Sequence, residues 1–128
     1  MAVEACFEQK KVAEARRHAA RALWRTRSGE LIGESTTCRA LALAAAQAGD
    51  ATSAARLMAR SGRSASLRQS AREHALDGVV SSRIAALQGQ QDESVLALAR
   101  ALEAFETLGM SWHHAKALQW GRSLTLLR

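Results

Sequence analysis

Histidine and cysteine are the residues of this sequence best suited to metal binding or nucleophilic chemistry. His113 and His114 are adjacent, so on a helix their side chains point about 100° apart and cannot grip one metal ion as a pair four residues apart does. Cys6 and Cys38 lack CxxC spacing, and we expect both to be small buried hydrophobic residues in a reducing compartment. The sequence therefore predicts neither a metal site nor a cofactor.

Motifs for other kinds of catalysis are missing as well. The glycines stand singly and form neither GxGxxG nor the GxxxxGK[ST] phosphate loop. Asp92 and Glu93 open a predicted helix, where their negative charge suits the helix dipole, and they are not spaced as an acid–base pair. No spacing of serine, histidine and aspartate indicates a nucleophile with its base. We therefore expect a protein that is not an enzyme.

The side chains most suited to binding a partner lie on the first predicted helix. Arg17, Arg21 and Arg25 recur every four residues and form a basic ridge, with Trp24 one turn from Arg21. Such a ridge suits an acidic peptide or nucleic-acid phosphates. The other interpretation, which we favour, is that Trp24 packs against the next helix while the arginines lie in water.

A second candidate surface is an apolar stripe near the C-terminus. Trp120 and Leu124 are large members of the stripe and share one helix face with Ala117, Gly121 and Leu127. The stripe either folds back on the preceding hairpin or stays open, in which case it supports a homodimer or the docking of another protein. The sequence leaves these alternatives open.

The elements that carry these residues are predicted to be helices. The chain has no proline and is dominated by strong helix formers, and no segment alternates apolar and polar residues long enough to indicate a strand. No apolar run is long enough to span a bilayer. Glycines followed by serine or aspartate mark the helix ends. These breaks predict six helices, near residues 2–27, 34–48, 51–61, 67–88, 92–108 and 112–127.

One of these breaks rests on a cluster of serines and glycine at residues 61–66. We interpret the cluster as a loop, because serine and glycine are typical of turns. Ser66, with Gln69 three residues on, has the spacing of a capping box at the start of the next helix.

Similar segments recur about 40 residues apart along the chain. The phrase Ala-Arg-Ala-Leu occurs at 20–23 and at 99–102, Met-Ala-Arg lies between them at 58–60, and the glycine turns near 49 and 89 keep the same step. A single helical hairpin cannot bury its own apolar face, whereas stacked hairpins can. The sequence therefore predicts about three hairpins in one domain over residues 1–128, which is either a short domain or a fragment of a longer solenoid.

Two segments resemble a known family. Residues 42–50, followed by Ala54-Ala55-Arg56-Leu57, resemble the junction between the two helices of tetratricopeptide repeats. Residues 99–109 are similar to the roughly 40-residue repeats of large LuxR-type bacterial transcriptional regulators. The resemblance covers about residues 12–120. It implies an all-α, right-handed α-α superhelix that acts as a non-catalytic protein–protein interaction module in a bacterial transcriptional or signalling regulator.

The net charge of +6 is concentrated at the N-terminus, where residues 1–27 carry seven Lys or Arg against three Glu. A basic excess favours acidic partners and salt-sensitive contact with nucleic acid. Basic residues are not repeated once per unit, which argues against an array that reads bases. We expect a protein or peptide partner in the cytoplasm. The alternatives are nucleic-acid binding through the arginine ridge and a self-assembling helical scaffold.

Overall fold

The computed structural model describes Arg17 and residues 33–123, and all the regular elements in this part of the chain are helices. The fold class predicted from the sequence is confirmed here at the level of an all-α protein. The described helices fall short of the combined length and apolarity that a membrane span requires. Arg17 has a helical backbone, and the helices between residues 33 and 123 are α1 (Glu34–Gln47), α2 (Ala51–Leu67), α3 (Ala71–Leu87), α4 (Gln91–Leu108) and α5 (Ser111–Ser123).

One kind of turn joins each of these helices to the next. In every turn one residue has a positive φ, and the amide of the residue after it donates to the carbonyl five positions back, over 2.8–2.9 Å. This hydrogen bond defines a Schellman turn, which satisfies carbonyls that the helix end leaves open. The left-handed residues lie twenty positions apart, at Gly49, Gln69, Gly89 and Gly109. A helix and its turn therefore repeat every twenty residues, and a hairpin repeats every forty.

The break predicted at residues 61–66 is wrong. Helix α2 continues through these residues to Leu67, and α3 begins at Ala71 instead of near residue 67. The serine-rich segment is helical, and Ser61, Ser64 and Ala65 within it are buried. Small buried side chains let neighbouring helices approach closely. These three residues of α2 therefore belong to a helix interface.

The predicted capping box is wrong for the same reason. Ser66 lies inside α2, and Gln69 is the left-handed residue of the turn, with φ 51°. Ser70 caps α3 instead, since its hydroxyl accepts a hydrogen bond from the amide of Glu73 at 3.2 Å. At the preceding turn Asp50 caps α2 in the same way, accepting from the amide of Ser53 at 3.1 Å.

Helix α3 is shared by two hydrophobic clusters and is the middle layer of the described fold. It packs against α1 and α2, which form the first hairpin, and against α4, with which it forms the second. Its residues Val80 and Ile84 belong to the first cluster, whereas Ala75, Leu76 and Val79 belong to the second. The second cluster also receives side chains from α5. The two hairpins are therefore packed against each other through α3.

Small residues bring α3 and α4 close together. A Cβ atom added at Gly78 would lie 3.2 Å from the Cβ of Ala101. Farther along, the fully buried hydroxyls of Ser82 and Ser94 each donate to the other's carbonyl, at 2.7 and 2.8 Å. This reciprocal pairing satisfies both buried hydroxyls without a larger side chain between the helices.

The turn between α2 and α3 generates a prediction about stability. Gln69 is the described residue other than glycine with a positive φ. An L-residue in that conformation is strained by about 1–2 kcal/mol. Glycine avoids this strain but loses more chain entropy on folding, which cancels part of the gain. We expect Gln69→Gly to raise the free energy of unfolding by about 0.5–1 kcal/mol, measured by urea denaturation. The matched control is Gly89→Gln in the equivalent turn, where an added Cβ meets no atom within 4 Å. It should lower stability, and equal stability of both variants would contradict the prediction.

Candidate functional site

The main polar feature of the described core is a buried ion cluster around Arg39 on α1. One guanidinium nitrogen of Arg39, Nη1, donates to Glu73 Oε2 at 2.7 Å and to Asp77 Oδ1 at 3.0 Å, and Nη2 donates to Thr36 Oγ1 at 3.2 Å. The side chain of Arg39 is only 6 % exposed. We call Arg39, Thr36, Ser61, Glu73 and Asp77 the Arg39 cluster.

Helix α2 joins the cluster through Ser61. The Ser61 hydroxyl donates to Asp77 Oδ1 at 2.6 Å, and the backbone carbonyl of Ser61 accepts from the hydroxyl of Ser35 at 3.1 Å. Beside them, Arg60 Nε donates to Glu34 Oε1 at 2.8 Å and ties α2 to the start of α1 a second time. The cluster thus connects three helices, and its buried charges have charged partners.

The Arg39 cluster is built to hold helices together and not to react. A serine hydrogen-bonded to a carboxylate resembles part of a catalytic centre, but Ser61 is fully buried and a substrate has no access to it. Removing one member of a buried ion pair leaves an uncompensated charge, which is far more costly than the pair is stabilising. We infer that the cluster fixes the register of the first hairpin against α3.

Cys38 lies beside this cluster and is fully buried, as the sequence predicted. Burial raises the pKa of the Cys38 thiol, and the nearby Glu34 and Asp77 act in the same direction, while Arg60 and Arg39 oppose them. The thiol therefore stays protonated beyond the ordinary range for cysteine and is a poor nucleophile. Cys6 lies outside the described residues.

A shallow, open groove lies between the two hairpins of the described chain. It has a volume of about 370 Å³ and lies between the first half of α2, the second half of α3 and the start of α4. Met58, Ile84 and Ala85 are among the apolar residues of its floor, with Ala54 and Ala55 on the α2 side. Its rim carries Ser81 and the exposed polar side chains of Gln88, Gln90 and Glu93. An apolar floor with a few polar groups at the edge is typical of a binding site.

The partner-binding residues predicted from the sequence are only partly described. Arg17 is helical and exposed, whereas Arg21, Trp24, Arg25 and Leu124 lie outside the described residues. Trp120 is half-buried and packs against the second hydrophobic cluster, together with the buried Ala117. Over its described part, the C-terminal stripe therefore folds back on the preceding hairpin.

Of the two adjacent histidines, His113 takes part in ring packing. The His113 ring lies 5.0 Å from the Trp112 ring in an edge-on arrangement and 5.7 Å from the ring of Phe105. Lys116 Nζ lies over the exposed indole of Trp112, 5.5 Å from its centre. Within Arg17 and residues 33–123, no three His, Cys, Asp or Glu side chains are grouped so that they could hold a metal ion.

Neither the Arg39 cluster nor the groove is predicted by the sequence. Arg39 is separated by 34 and 38 residues from its two carboxylates, so only the folded chain brings them together. One signal was present: Glu73 and Asp77 are four residues apart and share a face of a helix that is otherwise rich in apolar residues. The groove had no such signal, because three helices of different hairpins form it.

The described chain is thus an all-α stack of helical hairpins with a groove between them. A comparison with known protein families, with curated proteins and with solved structures finds no match.

The Arg39 cluster yields a prediction about stability. We expect Arg39→Ala to lower the free energy of unfolding by about 3–5 kcal/mol, because Glu73 and Asp77 would lose their buried counter-charge. Urea denaturation measures the effect. Arg72→Ala, at an exposed position of α3, is the control and should change stability by no more than about 0.5 kcal/mol. Equal effects of the two substitutions would show that the cluster does not hold the helices together.

Cys38 yields a prediction about pH. Because its pKa is raised in the folded state, the unfolded chain ionises first as pH rises through the ordinary thiol pKa of about 8.5. Stability contributed by the neutral thiol is complete below that pH and falls above it. The chain has no tyrosine, whose ionisation would overlap this pH range. In a Cys6→Ser background, we expect the free energy of unfolding to fall more steeply between pH 8 and 10 with Cys38 than with Cys38→Ala; identical slopes would contradict the prediction.

Proposed function

We propose that this chain is a non-catalytic protein-interaction module of the tetratricopeptide-like type, and that the groove between its hairpins receives an apolar side chain of a protein partner. In this proposal the hairpins form a right-handed α-α superhelix. As the sequence resemblance implies, the module belongs to a bacterial transcriptional or signalling regulator.

The regular spacing of the turns supports the repeat architecture. Left-handed turn residues recur every twenty positions from Gly49 to Gly109, so α2, α3 and α4, each with its turn, occupy segments of the same length. The first helix of one hairpin packs on the first helix of the next, since α1 contacts α3. Similar hairpins stacked through corresponding helices generate a solenoid when the stacking continues. The buried free thiol of Cys38 suits the reducing cytoplasm in which we place the module.

The groove is the observation that carries the proposed function. Met58 and Ile84 in its floor can contact one apolar side chain of a partner. Met58 belongs to the first hairpin and Ile84 to the second, so both hairpins form the floor. The amides of Gln88 and Gln90 at the rim can both donate and accept hydrogen bonds, which suits the backbone of a peptide segment. Glu93 adds a negative charge at the edge and favours a basic residue beside the apolar anchor.

A variant that fills the groove tests this function. Ala55 lines the groove and is exposed, so Ala55→Trp should occupy the space without disturbing the core. We expect it to weaken partner binding by about tenfold or more. The matched control is Ala115→Trp, at an exposed position of α5, which should bind as the unchanged chain does.

The measurement is affinity capture from a lysate of the source cells at low and high salt, with and without nuclease, followed by titration of the purified partner. A protein retained at high salt after nuclease treatment, and lost with Ala55→Trp alone, supports the proposal. Equal capture by both tryptophan variants would refute the groove as the site. Recovery of nucleic acid alone, lost at high salt, would favour the arginine ridge.

A further inference from the structure

The outer face of α2 is basic. Arg56, Ala59, Arg63 and Leu67 follow one another at helical spacing and are all exposed, Leu67 to 77 %. The helix contains three arginines and no acidic residue. Of the three, Arg60 is engaged with Glu34 of α1, which leaves Arg56 and Arg63 facing solvent. We call Arg56, Ala59, Arg63 and Leu67 the basic face.

The outer face of α4 is acidic. Its exposed residues Asp92, Leu96, Ala99, Glu103 and Glu106 lie in one stripe at spacings of three and four, and Leu96 is 52 % exposed. The helix holds four acidic residues, and its single basic residue, the exposed Arg100, offsets only part of their charge. We call these five stripe residues the acidic face.

We propose that the basic face of one copy of this chain docks on the acidic face of a second copy. The two faces are complementary in charge, and each has a small alanine at its centre, Ala59 or Ala99, where two helices can approach closely. Each also has an exposed leucine, Leu67 or Leu96, that gains apolar contact when the faces meet. The faces run about 16 and 21 Å along their helices at 1.5 Å per residue, so their lengths are similar.

A second copy fits these faces better than nucleic acid does. Phosphates would be attracted to Arg56 and Arg63 but would leave the acidic face and both leucines without a partner. A second chain offers a complementary surface to either face, because each copy carries both a basic and an acidic face. The contact uses α2 and α4 residues that do not line the groove. Partner binding in the groove and self-association can therefore succeed or fail independently.

Reversing the charges of one face at a time tests the proposal by sedimentation equilibrium at increasing protein concentration. Arg56→Glu with Arg63→Glu makes both faces acidic, and Glu103→Arg with Glu106→Arg makes both faces basic. Each double variant should weaken self-association by at least about tenfold, because like charges then meet across the contact. Asp92 lies in the first turn of α4 and is left unchanged, since a positive charge there would oppose the helix dipole. All four positions are exposed, and circular dichroism checks that the fold is kept.

Mixing the two double variants gives the decisive result. Neither should associate alone, but together they should form a mixed complex, since the acidic faces of one meet the basic faces of the other. Association of the unchanged chain should also weaken as salt is added. The proposal is overturned if the unchanged chain stays monomeric, if the variants associate as it does, or if the mixture does not associate. Binding of a nucleic-acid oligonucleotide by a monomeric chain through Arg56 and Arg63 would replace it.

Discussion

The hydrogen bonds from Arg39 to Glu73 and Asp77 are the interaction on which the arrangement of α1, α2 and α3 depends. An arginine and two carboxylates cannot lie in an apolar interior unless they meet at short distance, and here the distances are 2.7 and 3.0 Å. Because the three groups come from α1 and α3, and Ser61 adds α2, sliding one helix past another would strand a charge. Apolar packing between alanines tolerates small shifts, whereas this network does not. Because the network holds α2 against α3, it also determines the shape of the groove between them.

Alanine, serine and glycine do most of the packing between these helices, and the same residues limited what the sequence could predict. The helical class, the turns at Gly49, Gly89 and Gly109, and the burial of Cys38 were all predicted, since strong helix formers and single glycines give local signals. The turn at Gln69 has no glycine and gave no signal. The serines before it gave a misleading one, because a serine in a loop and a serine buried between helices look alike in sequence. The burial of Ser61 and its contact with Asp77 distinguish them.

The candidate site was less predictable than the fold for a physical reason. Sequence spacing reports which residues share one helix face, so it identified ridges such as that of Arg17 and stripes such as that of Trp120. A groove, by contrast, is a property of the space between helices, and its lining comes from residues as far apart as Ala51 and Glu93. The Arg39 cluster has the same origin, since its partners are more than thirty residues apart. Surfaces on one helix can be predicted from sequence, but sites between helices require the packing.

Charge is used in two different ways in this chain, and the difference bears on what the outer surface does. Inside, the charged groups of Arg39, Glu73 and Asp77 contact one another, so the demand for counter-charge is met within the fold. Outside, positive charge is concentrated on α2 and negative charge on α4. An exposed surface with mixed charges would need no such separation for solubility. Separated faces with exposed leucines at Leu67 and Leu96 instead favour contact between molecules. The buried cluster fixes how α2 is held against α3, and α3 holds α4, so the spacing of the two faces follows from the same interaction that shapes the groove.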